Sequence, residues 1–215
     1  DVRSMDNLKQ KINEILSRSI CQGWNRQFLT SIQGKIESGS QISTRQRKVL
    51  VGIFDKCSAE QETRHLEWGV VYNAKYKETA QILARYHIKH RYYNDIAISI
   101  MEDIVPPKRK FMRMFNNKYS QKVLVEYNKD PRLEIGEYVK PRSKFNSYRN
   151  VDAYEIYDYQ ESRDTIEKFV KYGGFIVGIE KYIHSAAKGA KRYKLIAPGM
   201  PHVFIIEERF LKRAK

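Results

Sequence analysis

The stretch from Gly173 to Phe210 limits this chain most. It holds three short runs of strand formers, Phe175 to Ile179, Tyr193 to Ile196 and Val203 to Ile206. Each is rich in β-branched and aromatic residues, and Gly or Pro stands at the borders, which is the pattern of short strands. Strands this short are not stable singly, so they must pair in a small barrel or sandwich. The loop after the first run, Ser185 to Lys194, carries four cations and no anion among small residues. That composition offers little to a core and suits a phosphate-bearing ligand. Lys188, Lys191, Arg192 and Lys194 are therefore the first candidate contacts.

The chain ahead of this stretch has a different period. Leu8, Ile12, Ile15, Leu16 and Ile20 recur at helical spacing over 6–20, and Trp24, Phe28, Leu29, Ile32 and Ile36 do so over 24–36. Ser43 with Gln46, and Ser58 with Gln61, have the form of capping boxes that open two more helices. Amphipathic runs continue over 79–86 and 93–104 until Pro106-Pro107 stops them. Lys108 to Lys122 then interleaves cations with Phe111, Met112, Phe115 and Tyr119, as one basic amphipathic helix or two short ones.

Asn128 to Pro131 is polar and turn-prone and marks the expected domain boundary. Leu133 to Lys140 reads as a strand. Residues 141–172 read as an excursion, basic to about 151 and acidic after it. Asp152, Glu155, Asp158, Glu161, Asp164 and Glu167 recur every third residue, and Gln160 to Tyr172 reads as a helix stopped by Gly173. The expected architecture is α+β: a helical domain over 1–130, then a small β-barrel over 131–215 with an inserted acidic helical segment at about 141–172.

Charge narrows the function. Forty Lys and Arg stand against 25 Asp and Glu, for a net +15. The excess is +3 in residues 1–72, +6 in 73–130 and +6 in 131–215. A strongly basic chain with 15 tyrosines points to a polyanion, most simply nucleic acid. No apolar run approaches the ~20 residues that span a bilayer, and the first residues lack the apolar core of a signal peptide, so a cytoplasmic location without membrane contact is expected. Cys21 and Cys57 are too few for a disulfide framework and are expected reduced and buried.

A family resemblance rests on the placed strands. Ile135 to Val139, Gly174 to Val177, Arg192 to Leu195 and Ile206 to Leu211 resemble, in order, the strands of Src-homology-3-like small barrels, in particular the KOW type of ribosomal and transcription factors. The resemblance covers about the last 80 residues, interrupted by the excursion. It implies binding of RNA, DNA or a polymerase through the barrel loops. The helical front and the segment NKYSQKVL at 117–124 also resemble uncharacterised bacteriophage proteins.

Other chemistries fit less well. Glu180 and Lys181 are adjacent and so face opposite sides of a strand, which breaks the acid–spacer–lysine pattern of a metal-dependent nuclease. His87 and His90 have helical spacing but no third or fourth ligand at a suggestive distance, and read as surface histidines. Residues 79–101 could form a helix-turn-helix, although the turn lacks the usual Gly. No phosphate-loop or nucleophile-elbow motif occurs.

The expected function is non-catalytic nucleic-acid binding, as an accessory protein of phage or host replication or transcription, with no metal and no cofactor. Besides the 188–194 cations, the expected contacts are Lys108, Arg109, Lys110, Arg113 and Lys118, then Arg142, Lys144 and Arg149. Tyr92, Tyr93, Phe111, Phe145, Tyr148 and Tyr193 are the expected stacking rings, Tyr148 and Tyr193 foremost. The alternative is a protein–protein adaptor that grips an RNA polymerase, a helicase or another replisome protein through the barrel and the acidic segment.

Overall fold

The computed structural model describes residues 2–154 and 159–214. The chain divides into two compact units, 1–75 and 76–215. Among the described residues no helix is long and apolar enough to cross a membrane.

The first unit is helical: α1 Val2–Leu16, α2 Gly23–Glu37, α3 Thr44–Lys56 and α4 Ala59–Val71. Its core includes Ile12, Ile15, Leu29, Ile32, Leu50 and Ile53, the apolar stripes of the first three helices. The Ser43 hydroxyl accepts from the Gln46 backbone N–H at 3.2 Å while the Gln46 side chain accepts from the Ser43 N–H at 3.0 Å, a complete capping box. Ser58 caps α4 by accepting from the Gln61 N–H. Helix α1 stops at Leu16 rather than running to Ile20. The Glu62 carboxylate explains the stop, since it accepts from the N–H groups of Ser19 and Ile20, both at 2.9 Å, and so holds that segment as a turn. Cys21 and Cys57 are both free and buried. Burial pushes the Cys57 thiol up to about 11, and the Cys21 thiol beside it adds to the rise.

The second unit begins with four helices, α5 Lys77–His90, α6 Asn94–Met101, α7 Lys108–Phe115 and α8 Lys118–Tyr127. The α5–α6 turn has no glycine, and Arg91 and Tyr93 take the left-handed conformation themselves, with φ of 57° and 50°. The basic stretch 108–122 is two helices, split where the Asn117 side chain caps α8 by accepting from the Tyr119 N–H at 2.9 Å.

Six strands follow: β1 Tyr138–Pro141, β2 Val151–Tyr154, β3 Gly174–Ile179, β4 Arg192–Ile196, β5 Val203–Glu207 and β6 Leu211–Arg213, with α9 Tyr159–Tyr172 between β2 and β3. They form one antiparallel sheet in the order β2-β5-β4-β3-β1-β6. The sheet is open, with β2 and β6 as its edges, where the sequence leads one to expect a closed barrel. Helix α9 buries Ile166 and Phe169 in a core shared with Val139, Ile176, Leu195 and Phe204.

The 141–172 segment is thus part of the sheet domain rather than an appendage: it supplies β2, paired with β5, and the helix that covers the core. Of the acidic run, residues 155–158 lie outside the described residues. The expected strand from Leu133 is shorter at its start, because residues 134–137 turn through Gly136 at φ +91° before β1 begins.

Position 131 falls inside the second unit. The reason is a set of ties across the Asn128–Pro131 segment. Glu126 accepts from the Gly189 N–H at 3.0 Å, Lys191 donates to the Tyr127 carbonyl at 2.5 Å, and the Arg132 side chain donates to Glu208 at 2.5 Å.

Candidate nucleic-acid interface

The loop 185–194 corrects the plainest sequence expectation. Only Lys188 is exposed. Arg192 is 5 % exposed, donates to the Tyr182 carbonyl at 3.2 Å and lies 3.7 Å from the Glu180 carboxylate. Lys194 meets the same carboxylate at 3.3 Å. Lys191 is half-buried; burial holds its pKa below the usual lysine value, against the pull of Glu208, Asp130 and Glu126.

Tyr193 is fully buried. Its hydroxyl donates to Glu208 at 2.7 Å and accepts from the Leu133 N–H at 3.2 Å, and burial, with that carboxylate, raises its pKa beyond the ordinary phenol range. A ring in that position cannot stack on a base. Burial alone would raise the Glu208 carboxyl, yet hydrogen bonds from Arg132 and Tyr193 hold it below its usual range. Charges placed on a loop by composition are here partners of carboxylates far along the chain.

Lys188 instead joins α8. Gln121, Lys122, Val125 and Glu126 of α8 line a cavity of about 360 Å³ together with Ala186 and Lys188. One turn earlier, Tyr119 is 47 % exposed, and the Lys118 and Lys122 ammonium groups stand 5.1 and 5.9 Å from its ring centroid. Among the described residues, none of Lys118, Lys122 and Lys188 pairs with a carboxylate. A cation over a tyrosine face is attracted by the ring quadrupole and keeps its charge available. On α7, Phe111 and Met114 are buried, which turns Lys108, Arg109, Lys110 and Arg113 outward. Lys110 is held at 3.0 Å by Asp95.

The third basic group surrounds Tyr148. Asn146 and Asn150 build its turn: Asn146 Oδ1 accepts from the Tyr148 and Arg149 N–H groups at 3.0 and 3.2 Å, and Asn150 Oδ1 accepts from the Asn146 N–H at 2.7 Å. Tyr148 projects from it, 85 % exposed. Arg142 is anchored by donation from Nε to the Leu211 carbonyl at 2.7 Å, and the Lys144 ammonium stands 6.0 Å from the Phe210 ring centroid. Arg149 is exposed. Arg163, Lys171 and Lys212, none of them a candidate from the sequence, line the cavities on either side of Tyr148. Arg163 is also paired with Glu167 at 2.9 Å. No local signal could have found these residues, because they come from α9 and β6 and meet only through the sheet.

The remaining sequence candidates resolve on geometry. Helix α6 would be the reading helix of a helix-turn-helix, but its exposed positions are Asn94, Asp95, Ile98 and Met101, none of them cationic. His87 is not a surface residue: it is 1 % exposed, its Nε2 shares a 2.7 Å hydrogen bond with Ser120, and its Nδ1 has no partner among the described residues. Burial lowers its pKa to about 4, with His90 adding to the effect. His90 is exposed and hydrogen-bonded to the His184 carbonyl at 2.8 Å. Among the described residues no three His, Cys, Asp or Glu side chains are grouped to hold a metal ion. Compared with protein-family models, with curated proteins and with solved structures, the chain matches none.

Proposed function

We propose that this chain binds nucleic acid without catalysis, as an accessory protein of replication or transcription, through the cations of α7, α8 and the Tyr148 turn. The observation that carries this reading is the Lys118–Tyr119–Lys122 group with Lys188 beside it. Two ammonium groups, Lys118 and Lys122, stand over an exposed aromatic ring, a third, Lys188, lines a cavity with Lys122, and among the described residues none of the three pairs with a carboxylate. Arg192 and Lys194, by contrast, both reach the Glu180 carboxylate. We further read the sheet as an opened relative of the Src-homology-3-like barrels that the sequence resembles. The short antiparallel strands, and the return of β6 to the side of β1, support this.

The test is binding of labelled oligonucleotides across a salt series. Every cation that neutralises a phosphate steepens the fall of log K with log salt by about 0.7–0.9. Replacing Lys118, Lys122 and Lys188 by Gln is expected to flatten the slope by about two to three. Affinity that is absent at low salt, or indifferent to salt, would falsify the reading.

A different observation favours the adaptor reading. Strand β3 turns Phe175, Val177 and Ile179 to solvent at 45 %, 41 % and 36 % exposure. A run of exposed apolar side chains on one strand suits a protein partner. Under that reading, Phe175→Asp abolishes retention of purified RNA polymerase on the immobilised chain and leaves oligonucleotide binding unchanged.

A further inference from the structure

We propose that the nucleic acid is single-stranded and that one unpaired base stacks on Tyr148, over a two-lobed trough between the 141–151 loop and α9. This rests on the nucleic-acid reading above and specifies the strand state and the contact. Two cavities, of about 570 and 530 Å³, share Ser147, Tyr148 and Val170, so Tyr148 stands at the wall common to both. The first is lined by Val151, Ile166 and Val170, by Lys171, and by Arg163 paired with Glu167 of the same cavity at 2.9 Å; the second adds Arg142 and Lys212. Each volume falls in the range of sites that hold one small organic ligand, the size of a nucleotide rather than a duplex.

The chemistry follows from the ring and its surroundings. A tyrosine that leaves 85 % of its surface in water gains from covering either face. Bases within a duplex have both faces occupied by their neighbours, so only an unpaired or unstacked base can supply that cover. The apolar side chains suit a base, which has no charge, and Lys171, Arg142 and Lys212 suit the phosphates on either side of it. The Asn146–Asn150 hydrogen bonds hold the turn before any ligand arrives, so little ordering entropy opposes stacking.

The experiment uses the full chain with two labelled probes, a single-stranded oligothymidine and a hairpin duplex carrying the same number of phosphates. At moderate salt the single strand is expected to bind more tightly. Tyr148→Ala is expected to weaken it by roughly 5- to 100-fold, as for one stacked base, while Tyr148→Phe retains affinity. At this exposed position neither change should alter the thermal unfolding midpoint. With 5-iodouracil in the strand, photocrosslinking is expected at Tyr148. Equal affinity for the two probes, unchanged binding by Tyr148→Ala, or crosslinks confined to α8 each overturn the inference and leave the nucleic-acid reading standing. Binding of neither probe at low salt overturns that reading, and this inference with it.

Discussion

At the scale of single residues, the difference between a cation that meets ligand and one that meets its own protein is set by carboxylates distant in sequence. Lys188, Lys191, Arg192 and Lys194 look alike in the chain, yet Glu180 and the 126–130 segment claim the last three. Tyr193 and Tyr148 look alike too. One lies at a core-facing strand position, the other on a turn. Tyr193→Phe removes a donor from Glu208 and an acceptor from Leu133, and is expected to cost about 1–3 kcal/mol in denaturant unfolding with oligonucleotide affinity unchanged.

His87 offers a pH test. Unfolded, it takes up a proton near 6.5, but in the native core only near 4, so between those values the unfolded chain holds more protons. Stability from this site is therefore complete above about 6.5 and lost as pH falls toward 4, by roughly 3 kcal/mol in all. Unfolding free energies measured from pH 7.5 to 4 should show that fall in the native chain and a shallower one in His87→Gln.

At the scale of elements, most helices and four of the strands, β1 only in its latter part, were legible because their periods are local. The Ser43 box and the Pro106-Pro107 stop are written in neighbouring residues. Strand β2 was not legible. It is four residues long, in a segment whose acidic repeat of three masks alternation, and its pairing partner β5 lies some fifty residues on. Of the site, the basic loops could be read, but the meeting of Tyr148 with Lys171 and Lys212 could not, since it is made by the order of strands.

Gly173 shows how closely β1 and β3 are joined. A Cβ there would stand 2.5 Å from the Val139 carbonyl oxygen, and φ is +96°. Gly173→Ala is expected to cost roughly 2–5 kcal/mol and to raise amide exchange along β1 and β3. Gly34→Ala, in α2 where a Cβ meets nothing within 4 Å, should instead stabilise by about 0.5–1 kcal/mol. Thermal unfolding of the two variants checks both signs.

At the scale of the whole molecule, each unit has its own apolar core. The first, 1–75, holds 12 cations and 8 anions; the second, 76–215, holds 28 and 17, and so carries +11 of the +15. Residues 76–215 expressed alone should give a dispersed amide spectrum and a cooperative melt, and should keep most of the salt-dependent oligonucleotide affinity. A fragment that stays unfolded would show that the first unit's core is needed by the second.

An open sheet has two borders whose outward hydrogen-bonding groups are unused, and such borders invite other copies to attach and grow into fibres. At one border here, β6 is three residues long and two of them, Lys212 and Arg213, stand in water. Arg213 is held by Glu137 at 2.7 Å, so a second molecule lining up against that strand would meet the charge of Lys212. The same lysine that edges the trough beside Tyr148 is thus also a charge that opposes strand addition at this margin, an opposition that weakens as salt rises.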